Sequence, residues 1–193
     1  LAVTITQAFP KHQFGWKVLG AVLGARGRKS EAVNANQTAV ALSLEDAEAH
    51  SNLGNTLKEL GRLDEAEASY TQALALKPDF AKAHYNLGIT LQELGRLDEA
   101  LESYTQALAL KPNFAEAHSN LGNTLRELAR LDEALESYTQ ALALNSDYAE
   151  AHSNLGITLR QLGRLDEAEA SFRQALALKP NFAEAHSNLG NTL

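Results

Sequence analysis

Apolar residues recur at helical spacing through most of the chain, in blocks separated by short polar breaks. In residues 81–114 the first block consists of Ala83, Leu87, Gly88, Leu91 and Leu94. The second block, which follows Gly95, consists of Leu97, Ala100, Tyr104, Ala107 and Leu108. Residues three or four positions apart lie on one face of an α-helix. The pattern therefore predicts two amphipathic helices joined by a short turn.

Residues at the ends of these blocks mark where the two helices stop and start. Gly95 suits the left-handed conformation that closes a helix, and Asp98 can cap the second helix and place negative charge near its N-terminus. Pro112 prevents the second helix from continuing. Gly88 and Ala100 lack bulk where the helices should approach most closely, so we expect an antiparallel hairpin.

The same pattern returns at a fixed interval along the chain. This period is seen in five histidines, which are His50, His84, His118, His152 and His186. Residues 81–114 and 115–148 differ at only nine positions. A period of about 34 residues is typical of a solenoid, in which each helix pair leaves apolar flanks that only neighbouring pairs can cover.

The repeated positions resemble the signature of the tetratricopeptide repeat (TPR) family. They are, with their equivalents in the following repeats, Leu53-Gly54, Gly61, Ala66, Tyr70, Ala73 and Pro78. The resemblance implies an all-α fold, a right-handed superhelical solenoid of antiparallel helix pairs. Four full repeats are expected at 47–80, 81–114, 115–148 and 149–182. In the third of these, Ala129 replaces the turn glycine.

Three further segments fit the same register. Residues 13–46 read as a divergent repeat, in which Trp16, Leu19-Gly20, Gly27 and Ala32 fall at signature positions. Residues 1–12 are expected to be the end of a preceding repeat's second helix. Residues 183–193 are expected to be the first helix of a truncated repeat. Since the chain begins with Leu1 and has no methionine, we expect it to be a piece of a longer protein.

Composition restricts the classes of partner. The net charge is −7, so the chain should repel phosphate backbones, and we expect no nucleic-acid partner. No apolar run approaches the length of a membrane-spanning helix, so we expect no membrane partner. The absence of cysteine removes disulfides and makes an oxidising compartment unnecessary, which favours a cytoplasmic location.

Residues with reactive chemistry do not assemble into a recognisable catalytic pattern. No combination of nucleophile, base and orienting group emerges, and no glycine-rich phosphate loop is found. Successive histidines should lie one repeat apart, too far for shared metal ligation, so we interpret them as packing residues. The sequence predicts neither an enzyme nor a bound metal or cofactor.

Asparagine at one first-helix position of every repeat is the strongest candidate for a binding function. These residues are Asn52, Asn86, Asn120, Asn154 and Asn188. Asparagine is a mediocre helix former, so five in mid-helix need a reason. One hypothesis is that the amides bond to the adjacent helix and fix its stacking. The other is that they form a ladder on the concave face that holds an extended peptide.

The first-helix residues expected around this ladder vary between repeats, as graded side-chain specificity would require. The candidate peptide-binding residues among them are Asn55, Lys82, Tyr85, Asn123, Arg126 and Arg160. The repeat arm of O-linked N-acetylglucosamine transferases is similar, with asparagine at the ladder position. The repeats that clamp the C-terminus of heat-shock chaperones are less similar. Their pattern agrees at Lys17, Asn52 and Lys82 but not at Ala21 and Asn86.

Three hypotheses for function follow. The first is a non-catalytic scaffold that binds a peptide or protein segment in its concave groove. The second is the substrate-recruiting arm of a larger enzyme of the glycosyltransferase type, whose catalytic domain lies beyond Leu193. The third is a module that forms a homo-oligomer through exposed solenoid ends.

Overall fold

The computed structural model describes residues 2–192 of the chain. Leu1 and Leu193, which belong to the predicted segments 1–12 and 183–193, lie outside the described residues. All regular elements within 2–192 are α-helices, as the periodicity predicted. The helices divide into two compact units, with the boundary between Arg96 and Leu97.

Within residues 2–96, six helices form the first unit. They are α1 (Ala2–Ala8), α2 (Gln13–Ala25), α3 (Lys29–Leu42), α4 (Ala47–Lys58), α5 (Leu63–Leu76) and α6 (Ala81–Glu93). Short turns join α2 to α3 and α4 to α5, and each of these pairs packs as an antiparallel hairpin. α1 packs against α2, and α6 packs against both α4 and α5.

In the second unit, residues 97–192 also form six helices. They are α7 (Leu97–Leu110), α8 (Ala115–Glu127), α9 (Leu131–Leu144), α10 (Ala149–Gln161), α11 (Leu165–Leu178) and α12 (Ala183–Gly190). The pairs α8/α9 and α10/α11 are hairpins, and α9 packs against α10. The prediction of an all-α fold built from helix pairs is confirmed.

In the hairpins α4/α5, α8/α9 and α10/α11, a glycine in the first helix lets a large aromatic ring of the second helix enter the core. Tyr70 of α5 is fully buried, and a Cβ atom added at Gly54 of α4 would lie 2.7 Å from the Cε1 atom of that ring. The second unit repeats the arrangement with Gly122 and Tyr138. Complete burial of such a side chain contributes about 2 kcal/mol, so this contact stabilises each hairpin.

The turn between the paired helices uses a left-handed residue. Gly61 and Gly95 have φ angles of 72° and 75°, which confirms the prediction for Gly95. Ala129 occupies the same position in its repeat with a φ angle of 58°. An alanine in this region carries a steric cost that glycine does not, because its Cβ crowds the following carbonyl oxygen.

The prediction that Asp98 caps α7 is wrong, although its charge lies where it was expected. α7 begins at Leu97, so Asp98 is the second residue of the helix and lies in its first turn. In α5 the capping position belongs to Arg62, whose guanidinium donates two hydrogen bonds, of 2.7 and 2.6 Å, to the Glu65 carboxylate. This pairing leaves the aspartate to act through its charge at the helix N-terminus.

Candidate functional site

The ladder asparagines Asn86 and Asn154 each connect two neighbouring first helices. The Nδ2 atom of Asn86 on α6 donates to Oδ1 of Asn55 on α4 at 2.8 Å. In the second unit, Nδ2 of Asn154 on α10 donates to Oδ1 of Asn123 on α8 at 3.0 Å. These contacts are the ones that the stacking hypothesis requires.

The acceptor of each contact is shared with the core tyrosine of its own repeat. The Tyr70 hydroxyl donates to Oδ1 of Asn55 at 2.8 Å, and the Tyr138 hydroxyl donates to Oδ1 of Asn123 at 2.7 Å. Burial raises the pKa of the Tyr70 hydroxyl well above its usual value, and the nearby Glu59 carboxylate raises it further. The tyrosine therefore stays a neutral donor, and one asparagine oxygen closes a bridge between a second helix and two first helices.

The remaining ladder residues differ in their surroundings. Asn120 lies half-buried on α8, and Asn188 lies half-buried on α12. The residue at the acceptor position for Asn188 is Ile157, which has no side-chain oxygen. The acceptor position for Asn52 is Ala21, and within residues 2–192 the Asn52 amide group has no hydrogen-bond partner. Equal sequence positions therefore carry amides with unequal hydrogen bonding.

A cavity of about 180 Å³ lies beside Asn52, between α2 and α4. We call it the α2–α4 pocket. The residues that line it include Gly20, Ala21, Gly24, Asn36, Asn52 and Asn55. On the α2 side, Gly20, Ala21 and Gly24 have no side chain larger than a methyl group. On the α4 side, Asn52 and Asn55 present two carboxamides.

The divergence of residues 13–46 from the other repeats explains the pocket. Asn36 stands one repeat period before Tyr70, and it is nearly fully buried, with Nδ2 donating to Oγ1 of Thr56 at 2.8 Å. Ala21 stands in the place of Asn55, and Gly24 in the place of Lys58. Three large side chains are thus replaced by smaller ones at adjoining positions, which leaves the space unfilled.

Charged groups at the rim of the pocket are paired with each other. The ammonium group of Lys17 lies 3.0 Å from Asp46 and 2.7 Å from Glu48, while Glu59 lies 3.6 Å from Lys29. Burial by itself would lower the pKa of Lys17, but its hydrogen bonds to Glu48 and Asp46 raise it above the usual value. The cation is already neutralised, so the pocket offers a polar but nearly uncharged interior.

The charged and aromatic candidates for peptide binding lie on the first helices, as the pattern predicted. Lys82 is exposed and Tyr85 half-buried on α6, and Arg126 and Arg160 are half-buried near the ends of α8 and α10. Burial raises the pKa of the Tyr138 hydroxyl, and a hydrogen bond from Arg126 opposes that rise. Within the described chain neither guanidinium forms an ion pair.

The regularly spaced histidines hold the joints between repeats. Nε2 of His84 lies 2.9 Å from the carbonyl oxygen of Pro78, and the other four histidines make the same contact six residues back. At the corresponding position of the divergent repeat, Nε1 of Trp16 donates to the Pro10 carbonyl at 2.8 Å. Because a carbonyl oxygen only accepts, Nε2 is the donor in all five histidine contacts.

Asn36 begins an Asn-Gln-Thr glycosylation signal, but its amide is buried at 3% exposure and hydrogen-bonded, so it is inaccessible for modification. Among residues 2–192 no three His, Cys, Asp or Glu side chains come together in a way that could hold a metal ion. No helix of the same range is long and apolar enough to cross a membrane.

Comparison with family models decides the family. A model described as TPR repeat matches residues 54–95, and two described as tetratricopeptide repeat match residues 81–114 and 113–181. Together they cover more than half of the chain. The chain belongs to the tetratricopeptide repeat family. No curated protein matches the chain in sequence.

Solved structures agree with the repeat fold. The chain is 27% identical to TTC0263, a thermophilic TPR protein of Thermus thermophilus, with a TM-score of 0.70 over 94% of this chain and 98% of that one. It superimposes on YrrB with 21% identity and a TM-score of 0.79, over 100% and 98% of the two chains. It superimposes on MamA with 24% identity and a TM-score of 0.78, over 86% and 96%. The last two likenesses support the fold alone.

The repeat pattern predicts which residues lie on the first helices, but it does not predict the α2–α4 pocket. A signal for the pocket is nevertheless present in the sequence. When the divergent repeat is aligned with the next one, Asn36, Ala21 and Gly24 each replace a larger side chain. Each of these smaller residues by itself is ordinary for a surface or core position. Only the structure shows that the three positions border one space.

Proposed function

We propose that this protein is a non-catalytic scaffold that binds an extended peptide segment along its first helices. TPR repeat proteins typically act in protein–protein interaction, and YrrB is described as a TPR protein with an unusual peptide-binding site. In this chain the binding region of the first unit is the face of α2, α4 and α6 around Asn52. That of the second unit is the face of α8 and α10 around Arg126 and Arg160.

The observation that carries the proposal is the unused amide of Asn52. An amide that is half-buried and has no protein partner within 2–192 has one donor group and one acceptor to offer a ligand. A peptide backbone supplies the complementary N–H and C=O groups. The amides of Asn86 and Asn154 are less available, because one donor of each is already used between first helices.

This difference between equivalent asparagines provides a matched pair of variants. Asn52→Ala should weaken peptide binding about tenfold, because it removes a hydrogen bond to the ligand, and it should not lower the melting temperature, because alanine is the better helix former. Asn86→Ala should lower the free energy of unfolding by about 1 to 2 kcal/mol, because it removes a buried bond between α6 and α4.

The measurement begins with a random twelve-residue peptide library selected against the whole chain. Affinities of the enriched peptides are then measured by fluorescence polarisation, and stabilities by urea titration. If no peptide is enriched, or if Asn52→Ala binds the enriched peptides as tightly as the unaltered protein, the proposal is wrong.

The other two hypotheses from the sequence stay predictions. One is a substrate-recruiting role within a larger enzyme, and the other is end-to-end self-association. Both depend on parts of the protein other than the first-helix faces. Neither is required by the contacts described above.

A further inference from the structure

We propose that the α2–α4 pocket accepts a tyrosine side chain of the bound peptide. This inference rests on the proposed function and deepens it, because it names the side chain that the first unit selects. The next repeat of the same chain serves as a template for the missing group.

The template is the bridge formed by Tyr70, Asn55 and Asn86. In it, a phenol hydroxyl and a carboxamide nitrogen both donate to one oxygen, at 2.8 Å each. The corresponding residues one repeat period earlier are Asn36, Ala21 and Asn52. Of the three groups in the bridge, only the ladder amide, here that of Asn52, is still present. It borders the α2–α4 pocket, where Asn36 and Ala21 are smaller than the residues that they replace.

The dimensions of the pocket suit an aromatic ring. Its volume of about 180 Å³ is slightly larger than the ~150 Å³ of an engineered cavity that binds benzene. The Asn36 carboxamide covers Gly20, whereas Gly24 has no atom near the place of its missing side chain and Ala21 carries only a methyl group, so a planar group can lie against this part of the α2 wall. Ring burial there removes apolar surface from water on both sides.

The polar groups of the pocket select a phenol rather than an apolar or a charged group. The Asn52 amide can both donate a hydrogen bond to a hydroxyl group and accept one from it. A phenylalanine side chain has no hydroxyl group and cannot form either bond. Lys17 is already paired with Asp46 and Glu48, and the Glu59 carboxylate lines the pocket. A carboxylate or phosphate would therefore meet no unpaired cation, whereas a neutral phenol needs none.

The first test uses small molecules on the intact chain, so that it does not depend on peptide binding. In 15N-resolved NMR spectra, 4-methylphenol should shift the Gly24 amide and the Asn52 side-chain signals saturably, with a dissociation constant near the millimolar range. Toluene and phenyl phosphate should each bind at least tenfold more weakly.

A variant that fills the pocket serves as the structural test. A Cβ atom added at Gly24 meets no atom within 4 Å, so Gly24→Lys, which restores the side chain of the following repeat, is sterically allowed. Lysine is also the better helix former, so the melting temperature should not fall. Binding of 4-methylphenol should weaken at least tenfold. The matched control Ala41→Lys adds the same charge on α3, outside the pocket, and should bind as the unaltered protein does.

The second test uses an enriched peptide in three forms, with tyrosine, alanine or phosphotyrosine at one position. The tyrosine form should bind about tenfold more tightly than either other form, and Gly24→Lys should abolish the difference. If 4-methylphenol shifts other regions, or if Gly24→Lys leaves its affinity unchanged, the pocket assignment is wrong. If peptides bind without preference for tyrosine, this inference fails while the proposed function stands. If 4-methylphenol binds in the pocket but no peptide does, the proposed function fails instead.

Discussion

A single hydroxyl shows how small differences between repeats change the energy of a residue. The Oγ atom of Ser153 is buried on α10, at 1% exposure for the residue, and has no hydrogen-bond partner among the described residues. Its equivalent Ser119 shares a hydrogen bond with the Tyr148 hydroxyl, and burial raises the pKa of that tyrosine. Phe182 is the equivalent of Tyr148 in the following repeat, so Ser153 lacks this hydroxyl as a partner.

We therefore expect Phe182→Tyr to stabilise the protein by about 1 kcal/mol, because it supplies a partner to a buried polar atom. The free energy of unfolding from urea titration measures the effect. The reverse change, Tyr148→Phe, should destabilise by a similar amount because it leaves Ser119 unpaired. Equal stability of Phe182→Tyr and the unaltered protein would show that the two positions are not in contact.

Asp46 is a second residue whose contribution depends on its contacts. Its Oδ1 atom accepts from the Ala49 backbone at 3.1 Å, which caps α4, and its Oδ2 atom accepts from Gln13 and Lys17 of α2. Burial by itself would raise the pKa of this carboxyl, but these hydrogen bonds and the charge of Lys17 lower it below the usual value. The ionised form is thus favoured by folding.

A lowered pKa in the folded state means that the stabilisation is complete above the unfolded pKa of about 4 and is lost as the pH falls through the folded value. Asp46→Asn should cost about 1 kcal/mol at pH 7, since the neutral amide keeps the cap but loses the ion pair. The difference should vanish in urea titrations near pH 2. A difference that is independent of pH would contradict this explanation of the α2–α4 connection.

Among the elements, the hairpin turn of residues 115–148 is the weakest of its kind. Gly27, Gly61, Gly95 and Gly163 adopt positive φ in the other turns, and Ala129 does so here at 58°. The helices on either side keep the same lengths as in the neighbouring repeats. The turn geometry is therefore imposed by helix packing, and the alanine bears the strain.

Ala129→Gly should raise the free energy of unfolding by about 1 kcal/mol, because glycine adopts this φ angle without the Cβ clash. The same substitution at Ala143, an exposed position in the last turn of α9, should instead lower it by a few tenths of a kcal/mol through lost helix propensity. Urea titration of both variants checks the pair. A destabilising effect of Ala129→Gly would show that the turn is not strained.

For the molecule as a whole, the sequence was sufficient for the fold and insufficient for the site. Helix positions could be predicted because Gly54 and Tyr70 recur with a fixed period and have one geometric solution. The hydrogen-bond partners of Asn52 and Asn86 could not be predicted in this way. Although both residues are asparagines at the same repeat position, Asn52 faces Ala21 and Asn86 faces Asn55. Which side chains lie opposite each other across a joint depends on three-dimensional packing that a repeat signature does not encode.

Peptide binding on the first helices can be observed without any substitution. In the first unit, Asn52 and the α2–α4 pocket are at the centre of the proposed binding face. The measurement is the 15N NMR footprint of a library-selected peptide on the intact chain. Within residues 2–96 we predict that the shifted signals belong to α2, α4 and α6, with the Asn52 side-chain amide among them. A footprint confined to the second helices α3 and α5 would contradict binding on the first-helix face.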